Sequence, residues 1–150
     1  MTDEQEATRE LDESSDTESA EELLTNPDEI WFRHAFPAAA TEDRGEINQL
    51  AFKLHDNDGG KLSGARSSKV SAASSFDERR TVKPNTAGTW GVSIGELDSC
   101  GLRCVDDTAV PPPKPTGHSY VDLRRVTEDR AKDLRQELAD FANDRGRLHP

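Results

Sequence analysis

Apolar residues in the first half of the chain are concentrated in short runs between polar segments. Aromatic and aliphatic side chains cluster at residues 30–36, a composition typical of a strand, and Pro37 ends this run. Residues 50–54 alternate between apolar and polar side chains, which predicts a half-buried strand. The residues at 56–60 form a strong turn signal, and a brief strand is predicted to follow at residues 61–63.

The part of the chain after residue 88 has a denser pattern of apolar segments. Residues 89–93 and 102–105 are apolar enough for buried strands, and residues 118–123 alternate in the manner of a third. Between the first two strands, Ser93 is a suitable N-cap for a single helical turn at residues 94–99. This region therefore predicts three strands and one short helix.

An amphipathic helix is predicted between Thr127 and Gly146. Thr127 is a suitable N-cap, and the acidic side chains of Glu128 and Asp129 favour the positive end of the helix dipole. The apolar residues form a single stripe along this helix: Ala131, Leu134, Leu138, Phe141 and Ala142. Because only one face is apolar, we expect the helix to pack on a sheet. A shorter helix is predicted at residues 68–79.

These elements predict an α+β fold. We expect a small, mostly antiparallel or mixed sheet of four to five strands, with the C-terminal helix packed across it. A length of 150 residues suits one domain. We assign the domain to residues 30–146, with a disordered acidic tail at residues 1–29 and a C-terminal tail at residues 147–150.

The charge of the chain is distributed very unevenly. Residues 1–29 carry twelve acidic side chains and one basic one, which accounts for the whole formal net charge of −11. Like charges at this density repel and keep a chain extended, and this predicts disorder. The remaining residues carry eighteen charges of each sign. We therefore expect no direct nucleic-acid binding, because contacts to phosphates need a cationic surplus.

One short segment of the acidic tail has a different pattern. Residues 19–24 combine a serine with a glutamate three positions later, the pattern of a capping box. One interpretation is a frayed helical turn in a solubilising tail. The other is a segment that folds onto a partner protein through Leu23 and Leu24.

The sequence contains little that predicts membrane, metal or cofactor binding. No apolar run approaches the length of a membrane span, and we expect a cytoplasmic protein without a secretory signal. Cys100 and Cys104 form a single pair, whereas a structural zinc site usually needs two tight pairs of ligands. We therefore predict no metal and no cofactor, with both thiols packing as small apolar groups.

Four polar residues are the candidates for a shared ligand pocket: Arg33, Ser63, Arg66 and His118. Hydroxyl groups and cations near a helix start suit a phosphate or a carboxylate. His118, at the start of a strand, is either a general base or ligand, or a structural histidine bonded within the fold. If the four side chains converge, they indicate an enzyme or sensor for a phosphorylated small molecule.

The order of several short motifs resembles that of a group of small bacterial and phage proteins. The motifs span residues 31–146, and the matching positions are Arg33, Pro37, Ala51, Phe52, Asp58, Leu62, Ser63, Gly88, Trp90, Asp106, His118 and Asp122. The group often has a histidine where this chain has Phe36, and an apolar residue where it has Gly64. The resemblance implies a shared fold and a polar cluster, and it implies no reaction.

We expect a non-enzymatic binding or accessory module that acts through protein contacts in a bacterial or phage system. No catalytic motif is present, and the acidic tail suits a basic partner. The proline loop, with Pro111, Pro112 and Pro113, either docks in an aromatic groove of the partner or only stiffens the connection. Two alternatives stay open: the enzyme or sensor just described, and an acidic mimic of nucleic acid.

Overall fold

The computed structural model describes residues 20–150 and has an α+β fold. All neighbouring strands of its six-stranded sheet are antiparallel, in the order β1-β5-β6-β3-β2-β4. The strands are β1 (Glu22–Leu23), β2 (Ile30–Ala35), β3 (Lys61–Arg66), β4 (Gly88–Ser93), β5 (Cys104–Asp106) and β6 (His118–Asp122). The predicted fold class is confirmed, and the sheet has one strand more than the four to five expected.

Within residues 21–150, three α-helices accompany the sheet: α1 (Ala72–Val82), α2 (Ile94–Ser99) and α3 (Glu128–Arg145). Short 3₁₀ turns lie at Pro37–Ala39, Gln49–Phe52 and Asp56–Asp58. None of the helices in the described part of the chain is long and apolar enough to cross a membrane.

The hydrophobic core lies on the face of the sheet that α3 covers. Trp31 and Trp90 are fully buried there, together with Leu134 and Leu138 from the apolar stripe of α3. The opposite face carries a smaller cluster of Phe32, Ala65 and Val70. Since Trp31 and Phe32 are consecutive in β2, they point to opposite faces of the sheet, which separates the two clusters.

The short helix α2 begins where the sequence predicts. The backbone N–H of Glu96 donates to Ser93 Oγ at 3.0 Å, and the N–H of Ser93 donates to Glu96 Oε1 at 2.8 Å. This reciprocal capping box satisfies two backbone donors that a helix start otherwise leaves unpaired. It turns the chain sharply from β4 into the helix.

The predicted strand at residues 50–54 is wrong. The chain instead forms a 3₁₀ turn at Gln49–Phe52, and Asn48 Oδ1 caps it by accepting a hydrogen bond from the backbone N–H of Leu50 at 2.9 Å. Ala51 and Phe52 are consecutive, yet both are buried against the core. A strand would have placed one of them on the outside.

Residues on both sides of the predicted domain, 30–146, also bond to the sheet. Residues 22–23 pair with β5, and Leu24 is buried in the core, so residues 20–29 belong to the fold and not to a tail. Residues 1–19, the rest of the predicted disordered tail, lie outside the described residues. Near the other end, the backbone N–H of Thr89 donates to the carbonyl of His149 at 2.7 Å, and Leu148 N–H donates to Thr89 at 2.9 Å. The predicted tail at 147–150 therefore extends the sheet edge beside β4.

Candidate functional site

Four arginines line one hollow at the end of the sheet where β6 leads into α3. Arg103 directly precedes β5, Arg124 and Arg125 follow β6, and Arg130 lies in the first turns of α3. The hollow has a volume of about 500 Å³. Its other lining residues are Gly101, Leu102, Asp122 and Val126. All four arginines are exposed, and Asp122 is the single acid that residues 20–150 contribute to the lining, which leaves a formal excess of three positive charges among these lining residues.

The position of Arg124 is set by the strand that precedes it. Its Nε and Nη2 donate to the two carboxylate oxygens of Asp122 at 2.9 and 2.8 Å, a bidentate pair. These bonds to Arg124 lower the pKa of Asp122 to about 2, so that the carboxylate remains charged. Gly60 makes room for the side chain, because an added Cβ would lie only 2.5 Å from Arg124 Cγ.

The other arginines of the hollow differ in how firmly they are held. Arg130 Nη2 donates to the carbonyl of Cys100 at 2.8 Å, which ties α3 to the end of α2. Within residues 20–150, no carboxylate lies within 4.0 Å of the guanidinium of Arg103 or Arg125. Their N–H donors are therefore available to an anionic ligand.

An apolar groove adjoins the arginine-lined hollow. It runs between α3 and the 3₁₀ turn at Gln49–Phe52, and its volume is about 160 Å³. The lining residues are Phe52, Lys53, Leu54, Leu123, Val126, Ala131, Leu134, Arg135 and Leu138. Val126 lines both the groove and the hollow, so the two form one continuous surface. The charged residues that positions 20–150 contribute to the groove, Lys53 and Arg135, are both cations.

The predicted pocket of Arg33, Ser63, Arg66 and His118 is not assembled as a single site. Arg33 and Ser63 do meet, because Arg33 Nη1 donates to the backbone carbonyl of Ser63 at 2.6 Å. Arg33 Nε donates to the carbonyl of Ala51 at 2.7 Å. Burial, together with the charge of Arg79, lowers the pKa of Arg33 to about 10. Arg33 thus joins strands β2 and β3 to the turn over the core.

Arg66 is surrounded by carboxylates and has little capacity left for a ligand. Its guanidinium bonds Glu29 at 2.9 Å through both Nε and Nη2, while Nη1 bonds Glu22 at 2.5 Å and Asp106 at 3.1 Å. Burial raises the pKa of Glu29, but the hydrogen bonds from Arg66 and Ser68 outweigh it and leave that pKa below its usual value. The cluster joins β1, β3 and β5.

His118 lies on the other face of the sheet from Arg66. Ala65 of β3 pairs with His118 of β6, and Arg66, the next residue along β3, points to the opposite face. His118 Nδ1 lies 2.5 Å from Asp107 Oδ1, and both side chains are largely buried. This is an aspartate–histidine pair without a third polar residue bonded to the imidazole among residues 20–150.

The leucines of the predicted partner-binding segment have different environments. Leu24 is buried in the core at 4 % exposure, where it packs as a structural residue. Leu23 remains 43 % exposed on the edge strand. The three prolines of the loop, Pro111, Pro112 and Pro113, are exposed.

Both cysteines are buried within the fold. The Cys100 thiol donates to Glu137 Oε2 at 3.3 Å. Burial raises the pKa of Cys104 to about 12. The thiolate, which is the reactive and metal-binding form, is therefore disfavoured at Cys104 near neutral pH.

The arginine-lined hollow was not predicted from the sequence. The adjacent pair Arg124 and Arg125, with Arg130 a few residues later, was the available signal. Arg103 could not be placed with them, because its proximity depends on the pairing of β5 with β6.

Comparisons with known proteins identify no relative of this chain. No family model matches it, and no curated protein or solved structure matches it either. Any function must therefore be argued from the site itself.

Proposed function

We propose that the protein is a non-enzymatic binding module that holds an acidic, amphipathic segment of a partner protein. The segment lies along the groove and the hollow, with apolar side chains in the first and carboxylates on the arginines of the second. The observation that carries this proposal is the continuity of the two surfaces at Val126. A single occupant can contact both at once.

The chemistry of the two surfaces supports a peptide ligand. Guanidinium groups match the fork geometry of carboxylates, and Arg103 and Arg125 have N–H donors available. Half-buried Leu54, Leu123 and Ala131 supply the accessible apolar surface of the groove, and the buried Leu134 and Leu138 lie on its inner side. An amphipathic helix places side chains at i, i+3 and i+4 into a groove of this kind.

The charges around the groove favour an acidic ligand over a neutral one. Lys53 and Arg135 are cationic, as are the four arginines of the hollow. Complementary charge mainly raises the rate of association and selects the partner. Screening by salt should therefore weaken binding.

The proposal is tested with a synthetic fluorescent peptide, rich in glutamate and leucine at helical spacing, bound to the full chain. We expect the double variant Arg103→Gln/Arg125→Gln to bind at least about tenfold more weakly, because two charge-assisted contacts are lost. Ala131→Glu should also weaken binding, since it places a carboxylate in the groove. Fluorescence anisotropy at two salt concentrations measures each affinity.

The matched control is Arg79→Gln/Lys83→Gln, which removes the same charge at exposed positions in and just after α1, which packs against β2 and β4, whereas the hollow lies beside β5 and β6. This variant should bind the peptide like the wild type. Equal weakening by both double variants, or equal binding of the acidic peptide and a scrambled neutral one, would overturn the proposal.

A further inference from the structure

The arginine-lined hollow holds more positive charge than one carboxylate would balance. Among residues 20–150, the lining of the hollow contains four guanidinium groups and one acid, Asp122, which already holds Arg124 in a bidentate pair. A carboxylate from a ligand would neutralise one of the three excess charges. A phosphoryl dianion would neutralise about two of them, and it offers three acceptor oxygens.

The arginines are arranged so that some are anchored and others are available. Asp122 anchors Arg124, and the carbonyl of Cys100 anchors Arg130. Anchored guanidinium groups lose little further side-chain entropy when a ligand binds, which favours affinity. Arg103 and Arg125 have no carboxylate partner within residues 20–150. Their guanidinium groups provide the bidentate N–H donors for the ligand.

We infer that the hollow is a subsite for a phosphoryl group, recognised chiefly by Arg103 and Arg125. This inference rests on the proposed function, since the group is carried by a phosphorylated side chain of the acidic segment. The same chemistry would recognise the phosphoryl group of a small molecule. The two sources differ in whether the apolar groove contributes to binding.

The shape of the surface favours a phosphorylated protein segment over a phosphorylated small molecule as the ligand. The groove and the hollow meet at Val126, so a segment lying in the groove can direct one side chain into the hollow. Bidentate contacts from arginine to phosphate are a common basis for recognising phosphorylated peptides. Phosphorylation of the partner would then increase its affinity for this protein.

The experiment compares three probes on the full chain by isothermal titration calorimetry. The first is the acidic amphipathic peptide, the second is the same peptide with one phosphoserine in place of a glutamate, and the third is free O-phosphoserine. We expect the phosphopeptide to bind about tenfold more tightly than the plain peptide. Free O-phosphoserine should bind much more weakly than either peptide.

The variants test which side chains are responsible. Arg103→Gln and Arg125→Gln should each remove most of the advantage of the phosphopeptide. The corresponding lysine variants keep the positive charge but lose the bidentate guanidinium contact. They should therefore keep only part of the phosphopeptide's advantage in affinity. Arg79→Gln, in the helix that packs against β2 and β4 away from the hollow, should keep the whole advantage, and circular dichroism verifies that each variant is folded.

The outcomes separate this inference from the function on which it rests. Equal binding of the two peptides would overturn the phosphoryl subsite and leave the proposed function in place. Equal binding of O-phosphoserine and the phosphopeptide would support the subsite and overturn the peptide ligand, since the groove would contribute nothing. Absence of binding by all three probes would overturn both.

Discussion

The imidazole of His34 lies between two hydroxyl groups. Its Nδ1 is 2.7 Å from Thr89 Oγ1, and its Nε2 is 2.9 Å from Ser75 Oγ. Burial, with the charges of Arg79 and Arg33, lowers the pKa of His34 to about 4. The ring is therefore neutral in the folded protein near neutral pH, with one nitrogen donating and the other accepting. It joins β2 to β4 and to α1.

His34 should make the stability of the protein depend on pH between about 6.5 and 4. Its pKa is lower in the folded state, so the unfolded chain takes up a proton first as the pH falls through this window. The free energy of unfolding should therefore decrease over it. A His34→Gln variant should show a smaller decrease in urea unfolding at pH 7, 5.5 and 4. An unchanged pH dependence in the variant would contradict this assignment.

Arg66 joins three elements that are distant in sequence. It bonds Glu22 of β1, Glu29 before β2 and Asp106 of β5. Burial raises the pKa of Asp106, but hydrogen bonds from Thr108 and Arg66 outweigh it and keep that pKa low. The carboxylates of Glu29 and Asp106 are therefore charged in the folded state, and they depend on the guanidinium for compensation.

Replacing Arg66 by methionine should destabilise the protein by about 3–5 kcal/mol, because buried carboxylates would lose their partner. The matched control is Arg124→Met, which also breaks an arginine–aspartate pair. Arg124 is about half exposed, so its loss should cost only about 0–1 kcal/mol. Urea unfolding at neutral pH measures the loss in free energy of unfolding for each variant. Similar losses for the two variants would be inconsistent with a buried cluster around Arg66.

Elements that depend on local contacts were predictable from the sequence, and those that depend on distant contacts were not. The capping box of Ser93 and Glu96 spans three residues, so its pattern is visible in the chain. The turn at Gln49–Phe52 depends on packing against α3, and the alternation of residues 50–54 gave a false strand. The two-residue strand β1 is too short to show a period.

The predictability of the candidate site follows the same rule. The exposed arginines that flank β6 and α3 are visible in the sequence, but their shared hollow is made by the order of the strands. The four residues of the predicted polar pocket do not share one site, because Arg66 and His118 face opposite sides of the sheet. This arrangement depends on the register of β3 and β6. Neither register nor strand order could be derived from residue types.

At the scale of the molecule, residues 20–29 are part of the folded unit. Leu24 is 4 % exposed in the core, and the carboxylates of Glu22 and Glu29 bond Arg66. A chain starting at residue 30 should therefore be less stable than one starting at residue 20, by about 2–5 kcal/mol for the loss of Leu24 alone. Urea unfolding of both chains provides the measurement. Equal stability would show that this segment contributes nothing to the core.

At each edge of the sheet, a short segment bonds the backbone N–H and C=O groups of the neighbouring strand. Residues 22–24 cover β5 on one side, and residues 148–149 bond Thr89 of β4 on the other. Exposed sheet edges invite pairing with strands of other molecules, and native proteins shorten or cover them. Proteolytic trimming of either segment would uncover an edge and favour aggregation between copies of the protein. The two segments therefore protect the solubility of the sheet.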